Sequence, residues 1–165
     1  MSTITLKGKA IHTNGTLPKI GSVAPDFVLV DQELNNRTLK DFQGKKLLAI
    51  VPSLDTSVCL TSAKKFNEKM GSLSHVILLY ISADLPFAQK RVCGAENLKK
   101  IQTLSMMRDK KFATDYGILI EDGPLAGICA RAMVGLNEKN QVIYTELVPE
   151  ITTEPDYARA IAELV

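Results

Sequence analysis

The chain has 165 residues, 45% hydrophobic and 23% charged, with a formal net charge of +2. That length suits one domain with a proper hydrophobic core, expected to span residues 1–165 with 1–16 as an N-terminal hairpin extension. The basic excess is too small for a nucleic-acid or anionic-membrane binder, and no apolar stretch reaches the roughly 18 residues of a membrane span.

The opening MSTITLKGKAIHTNG alternates apolar and polar residues. It lacks the continuous apolar region of about 7–15 residues that a secretory signal carries, so the expected location is cytoplasmic, where thiols stay reduced. TITLKGKAIHT reads as a β-hairpin with alternating Ile4 and Leu6 and a turn near Gly8. GTLPKIGSVAPDFVLVD, broken by Pro18 and Pro25, reads as an extended loop ending in a short strand, Phe27–Val30. ELNNRTLKDFQGK reads as a turn, a short strand and a helical turn closed by Gly44.

Lys46–Val51 is then a buried strand, followed by a helix over about Thr56–Met70. In that helix Val58, Ala63, Phe66 and Met70 recur at helical spacing, and Gly71 stops it. His75–Ser82 is a second buried strand, and Pro86–Val92 a helix ending at Gly94. A short strand (Ile101–Met106) and a short helix (Asp109–Tyr116) follow. Asp122-Gly123-Pro124 reads as a turn, and Phe87 and Ile151 are expected in the core. Ile128–Leu136 and Val142–Val148 form a hairpin around NEKN. Pro155–Val165 is a last helix with Thr152 or Thr153 as its cap.

Strand, helix, strand, helix, then a strand hairpin and a final helix make an α/β fold: a central mixed β-sheet flanked by helices. A cysteine where the first central strand runs into its helix makes the arrangement thioredoxin-like. Chemistry in open α/β folds gathers at the carboxyl ends of strands, and Cys59 sits at such an end.

The three cysteines stand at 59, 93 and 129, and His12 and His75 are near none of them, so the close ligand spacing of a metal site is missing. Gly44-Lys45-Lys46 lacks the earlier glycine and the following Ser/Thr of a phosphate loop. A C-x-x-C motif is absent, because position 62 is Ser and position 56 is Thr. What remains is a lone nucleophile, a distant pair, or inert core thiols. Cys59 lies in or near the first turn of a helix with a polar lead-in of Ser53, Asp55, Thr56 and Ser57. Unpaired amides and the positive end of the macrodipole favour a thiolate there. Pro52 fixes the chain as it leaves the strand and denies water one approach. Thr56, one turn back, either caps the helix or sets its hydroxyl beside the sulfur.

Pro52-x-x-x-Thr56-x-x-Cys59 resembles the peroxiredoxin active-site motif. The segments PSLDTSVC, KFNEKM, ISADLPFAQKRVCGAE, DGPLAGICARA and EITTEPDYARA resemble one branch over nearly the whole chain, the bacterial thiol peroxidases of the atypical two-cysteine group. The resemblance implies a thioredoxin-like fold and reduction of hydrogen peroxide and organic hydroperoxides without a cofactor, in antioxidant defence. It implies that Cys59 is the peroxidatic cysteine, Cys93 the resolving one in an intramolecular disulfide, and Arg131 the active-site arginine. It also implies thioredoxin as electron donor and a homodimer. Cys129 departs from the family, which generally has alanine there; it is expected to be buried and inert, although alternation in CARAMVGL puts it on the face of Arg131. Two rival readings stand beside this one. A general thiol–disulfide oxidoreductase has the missing C-x-x-C against it, and a peroxide-sensing thiol protein would relay oxidation to a partner.

Thiol acidity alone does not make a peroxidase. Lowering any thiol from a pKa of about 8.5 to about 6 raises its thiolate fraction at pH 7 roughly 30-fold. A Brønsted slope of about 0.4–0.5 removes roughly 10–18-fold of that in nucleophilicity. The rest must come from stabilising charge on the departing oxygen, a task for Arg131, Thr56 and the amides of the Cys59 turn. Bonded cysteines need Cα atoms about 4.4–6.8 Å apart. Two cysteines near the ends of separate helices do not start that close, so local unwinding is expected before Cys59 and Cys93 join.

Overall fold

The runs LLAIV and VILLYI lack the alternation of a half-exposed sheet, which predicts strands covered on both faces. A computed structural model describes residues 1–165 and has this arrangement. The hairpin β1 (Thr3–Leu6) and β2 (Lys9–His12) stands as its own small antiparallel sheet. Its turn holds Lys7 and Gly8 at φ 51° and 79°, the positive pair that a two-residue hairpin loop requires. The main sheet is built from β3 (Leu29–Val30), β4 (Asn36–Arg37), β5 (Lys45–Ile50), β6 (Val76–Ser82), β7 (Ile101–Ser105), β8 (Ala132–Leu136) and β9 (Val142–Leu147). These seven strands lie in the order β4-β3-β7-β6-β5-β8-β9. The three central strands are parallel, while β3 and β8 pair antiparallel to them, so the sheet is mixed as expected.

Helices α1 (Ser57–Lys69) and α2 (Pro86–Ala95) are the crossovers from β5 to β6 and from β6 to β7. Two crossovers of the same hand, stepping the same way across the sheet, land on the same face. There Leu47, Ala49, Leu78, Tyr80 and Met133 meet Ala63, Phe66 and Val92. The last helix, α4 (Tyr157–Ala162), joins that face through Ala160 and an edge-to-face contact of Tyr157 with Phe66 at 4.8 Å. The opposite face, with Leu48, Ile50, Leu79 and Ile81, is covered by the hairpin and by α3 (Lys111–Asp115) through Ile4, Ile11 and Phe112. Phe66 is 1% exposed, and truncating such a residue to alanine costs about 3–5 kcal/mol.

Four expectations need correction. β8 begins at Ala132, not Ile128, because residues before it pair with a different segment: Cys129 bridges Leu119, and Ala130 N–H donates to Ile118 O. Gly71 and Gly94 do not stop their helices. After α1 the chain tightens into a 3₁₀ turn over Met70–Ser72, and α2 runs past Gly94 until Asn97 takes the left-handed conformation at φ 54°. The cap of α4 is Asp156, whose carboxylate accepts the Arg159 amide at 3.0 Å, while the Thr152 and Thr153 hydroxyls turn back to Glu150. Phe87 is 62% exposed, whereas Ile151 is buried as expected.

Glu150 fastens the hairpin to the body of the protein. Its carboxylate accepts the Lys7 and Gly8 amides, both at 3.0 Å, the Thr5 hydroxyl at 2.8 Å and the Thr152 hydroxyl at 2.7 Å. These donors, the Thr152 hydroxyl foremost, hold its pKa far below the ordinary carboxylate range. Because the folded pKa is the lower one, the stabilisation is present above the unfolded value of about 4.3 and is lost as pH falls below it. Glu150→Gln should therefore lower the thermal midpoint at pH 7, and thermal unfolding at a series of pH values should find that deficit shrinking below about pH 4.

Candidate active site

Beyond β5 the Val51 amide extends the pairing by donating to Ile81 O at 3.0 Å, and Pro52 follows, buried. Thr56 is the N-cap of α1 in an extended conformation. The first ladder bond runs from Leu60 N–H to Thr56 O at 2.9 Å, which leaves the Ser57, Val58 and Cys59 amides ahead of the ladder at the positive end of the helix. Cys59 is 0% exposed, and its carbonyl accepts the Tyr80 hydroxyl at 2.8 Å. Burial pushes the Tyr80 pKa far up, so this hydroxyl remains a neutral donor.

Arg131 arrives at the same place because of strand register. Ala132 pairs with Ile50, so the residue before it lies opposite the end of β5. Its Nε donates to Ile151 O at 3.0 Å and its Nη2 to Cys59 Sγ at 3.3 Å, while the buried Nη1 has no protein acceptor. Arg131 is 3% exposed and belongs to none of the carboxylate ion pairs. Burying such a charge costs several kcal/mol. A thiolate 3.3 Å away attracts it by on the order of 5 kcal/mol at an effective dielectric of about 20, which is the size needed to compensate. A neutral thiol offers no such compensation.

Beside this pair lies a mostly apolar cavity of about 340 Å³, lined by Leu6, Pro52, Thr56, Ile128, Arg131 and Ile151 among others. Cys59 is not part of the lining, so its sulfur lies behind the wall to which Pro52, Thr56 and Arg131 contribute. Thr56 does not turn its hydroxyl to the sulfur and makes no side-chain cap bond; Oγ1 donates to Ser53 O at 3.1 Å, closing a turn with its own backbone.

The other two thiols sit apart. Cys93 in α2 is half-buried beside Gln32 and Thr103; burial raises its pKa and these two neighbours partly oppose the rise. Thr103 is on β7, whereas the sulfur of Cys59 is held by the residue that leads into β8. Cys129 is buried with its Sγ 3.5 Å from Met106 Sδ, in the cluster on the opposite face of the sheet from Cys59. It does not share a face with Arg131, since strand alternation begins only at Ala132. Tyr80, Gln32 and Thr103 carried no signal in the sequence: the first reads as one more apolar strand residue, the others as ordinary polar positions.

A thioredoxin-like sheet with a helix-start cysteine under a buried arginine defines a redoxin, and the family described as Redoxin matches residues 19–161. The chain belongs to that family. Within it, a thiol peroxidase of Leptospira interrogans is 49% identical over 98% of this chain and 96% of its own. A thiol peroxidase of Mycobacterium bovis is also 49% identical, over 99% of both chains. Among solved structures, a peroxiredoxin-like protein from Aquifex aeolicus superposes with a TM-score of 0.92 at 38% identity, over 99% of this chain and 96% of that one. A thiol peroxidase from Chromobacterium violaceum gives 0.91 at 25% identity, over 98% and 95%.

The Cys59 sulfur is held under Arg131 and the Cys93 sulfur lies beside Gln32 and Thr103, so joining them requires both segments to leave the positions described. Crystals of the reduced and disulfide forms should differ around residues 59 and 93, and superimposable segments would refute this.

Proposed function

We propose that the protein is a thiol peroxidase that reduces hydrogen peroxide and organic hydroperoxides, with Cys59 as its nucleophile. The observation that carries this reading is Arg131: one nitrogen on the sulfur, a second without an acceptor, and a place in the wall of an apolar cavity. The Cys59 thiolate attacks the terminal peroxide oxygen, the O–O bond breaks, and the other oxygen leaves with a proton as alcohol or water. The sulfur becomes a sulfenic acid. Arg131 stabilises charge on the departing oxygen through its free N–H, and the amides at the start of α1 assist. Thr56 joins by rotating its hydroxyl away from Ser53 O, and Pro52 keeps the backbone closed against water. Cys93 then attacks the oxidised sulfur, the S–S bond forms, the S–O bond breaks and water leaves.

The reading includes thioredoxin as the thiol that reopens the disulfide, a homodimer as the assembly and the cytoplasm as the location. No helix is long and apolar enough to cross a membrane. It treats residues 1–165 as one catalytic domain, the hairpin included, since Leu6 lines the cavity. No resident cofactor enters the chemistry, because the oxidising equivalents pass from peroxide to sulfur to thiol.

Adding one equivalent of hydroperoxide to reduced protein and counting free thiols tests the assignment. The parent should lose two thiols rapidly, Cys93→Ser should accumulate a sulfenic acid, and Cys59→Ser should be inert. A Cys59→Ser variant that still consumed peroxide quickly would sink the proposal. Slow turnover at saturating thioredoxin, with oxidant-dependent binding to another protein, would favour a peroxide sensor instead. Arg131→Lys keeps the charge but loses the fork of donors, and should cut the second-order rate constant for peroxide by about 100-fold or more in stopped-flow kinetics.

A further inference from the structure

The stretch ISADLP contains a carboxylate with no part in the chemistry above. Asp84 follows β6, half-buried, and its side chain accepts three short hydrogen bonds: Oδ1 from the Ser53 hydroxyl and Oδ2 from the Leu54 amide and the Ser82 hydroxyl, each at 2.6 Å. Its carbonyl accepts the Ser105 hydroxyl at 2.5 Å. The Ser82 oxygen in turn accepts Gln89 Nε2 at 3.1 Å, and Gln89 also donates to Leu104 O at 3.0 Å. Ser53 and Leu54 belong to the loop that delivers Cys59, and Gln89 belongs to α2, which carries Cys93. One carboxylate therefore joins the Cys59 loop to the helix that carries the second thiol.

Hydrogen bonds to a charged acceptor are about twice as strong as neutral ones. The other link between the same segments, Arg91 to Asp55 at 3.3 Å, has side chains 67% and 64% exposed and contributes little. We propose that Asp84 is a positioning residue that sets the balance between the two thiol steps. With its bonds to Ser53 and Leu54 made, Cys59 stays under Arg131 and reacts with peroxide. When they break, the loop is released and the Cys59 sulfenic acid reaches Cys93, which displaces its oxygen as water. This rests on the function proposed above. Asp84 exchanges no proton in either step; it acts only through the backbone it holds.

Single-turnover stopped-flow on the full-length reduced protein, with hydrogen peroxide as the probe, separates the two steps. Asp84→Asn keeps the shape but either faces the Leu54 amide with a donor or reverses the Ser53 bond, and in both cases removes the charged acceptor. Cys59 oxidation should slow by about tenfold, which is about 1.4 kcal/mol, while the following disulfide step accelerates by about threefold or more. Ser53→Ala removes one bond, leaves Leu54 and Ser82 in place, and should show the same opposed changes at smaller size; it decides the matter should Asp84→Asn fold poorly. Rate constants that both stay unchanged, or that fall together with the thermal midpoint, overturn the inference, since a purely structural residue does not move two steps in opposite directions. A parent without Cys59-dependent peroxide consumption removes the proposed function and this inference together, whereas a parent with both phases and variants without the split removes only the inference.

Discussion

A buried guanidinium without a carboxylate partner is the constraint around which the site is built. Arg131 is held at Nε by Ile151 O, and its own carbonyl accepts the Val148 amide. Its position is set by the antiparallel register of β8 on β5 and β9 on β8, not by a flexible loop. Shifting β8 by one residue would turn Arg131 to the other face of the sheet. The sulfur it touches comes from the first turn of α1, where helix geometry and the unpaired amides favour negative charge on their own account. Two independent parts of the fold thus make the same demand on one sulfur.

That convergence matters because acidity alone leaves a thiol only about twofold to threefold faster, once the fall in nucleophilicity is counted. An arginine that merely made the thiol more acidic would add little. In the proposed chemistry, one that spends Nε on Ile151 O and Nη2 on the sulfur, and keeps Nη1 free, would act at both ends of the O–O bond as it breaks. Its donors are fixed before the reaction begins, so no reorganisation is needed when charge develops. The apolar walls of Leu6, Ile128 and Ile151 lower the local dielectric and so strengthen such an electrostatic effect.

Much of this was legible in the sequence, and the illegible parts share a cause. The central strands announce themselves because a strand buried on both faces must be apolar throughout. The Cys59 helix does so because its apolar positions recur with the helical period. The hairpin is legible through its alternation around Gly8. Errors fell where local and tertiary information conflict: Cys129 lies in extended chain, yet its partner is Leu119, a tertiary pairing that no periodicity reports. The same holds for Tyr80, whose polar end matters only because α1 crosses above it. Thr56 stood at the right place in the chain, but which way its hydroxyl turns depends on the Ser53 carbonyl, a choice of rotamer rather than of residue.

The contrast between what holds the Cys59 loop and what holds the rest of α1 sets how far a rearrangement can spread. The loop is secured largely by polar bonds, and each costs only about 0.5–1.5 kcal/mol net to break, or about 1.5–3 when the acceptor is charged, because water replaces the lost partner. Leu54, at 1% exposure, adds about 1.5–3 kcal/mol. One turn beyond Cys59, Ala63 and Phe66 are almost fully buried against the sheet and α4, and Phe66 bears on Tyr157. Exposing them adds a further cost, about 1.5–3 kcal/mol for the Phe66 side chain alone, and no new contact in the first turn would offset it. Unwinding that starts at Ser53 therefore stops before Ala63, and the mobile piece is a loop plus one helical turn. A segment of that size can carry Cys59 toward Cys93 while giving up only Leu54 and Cys59 from the hydrophobic clusters.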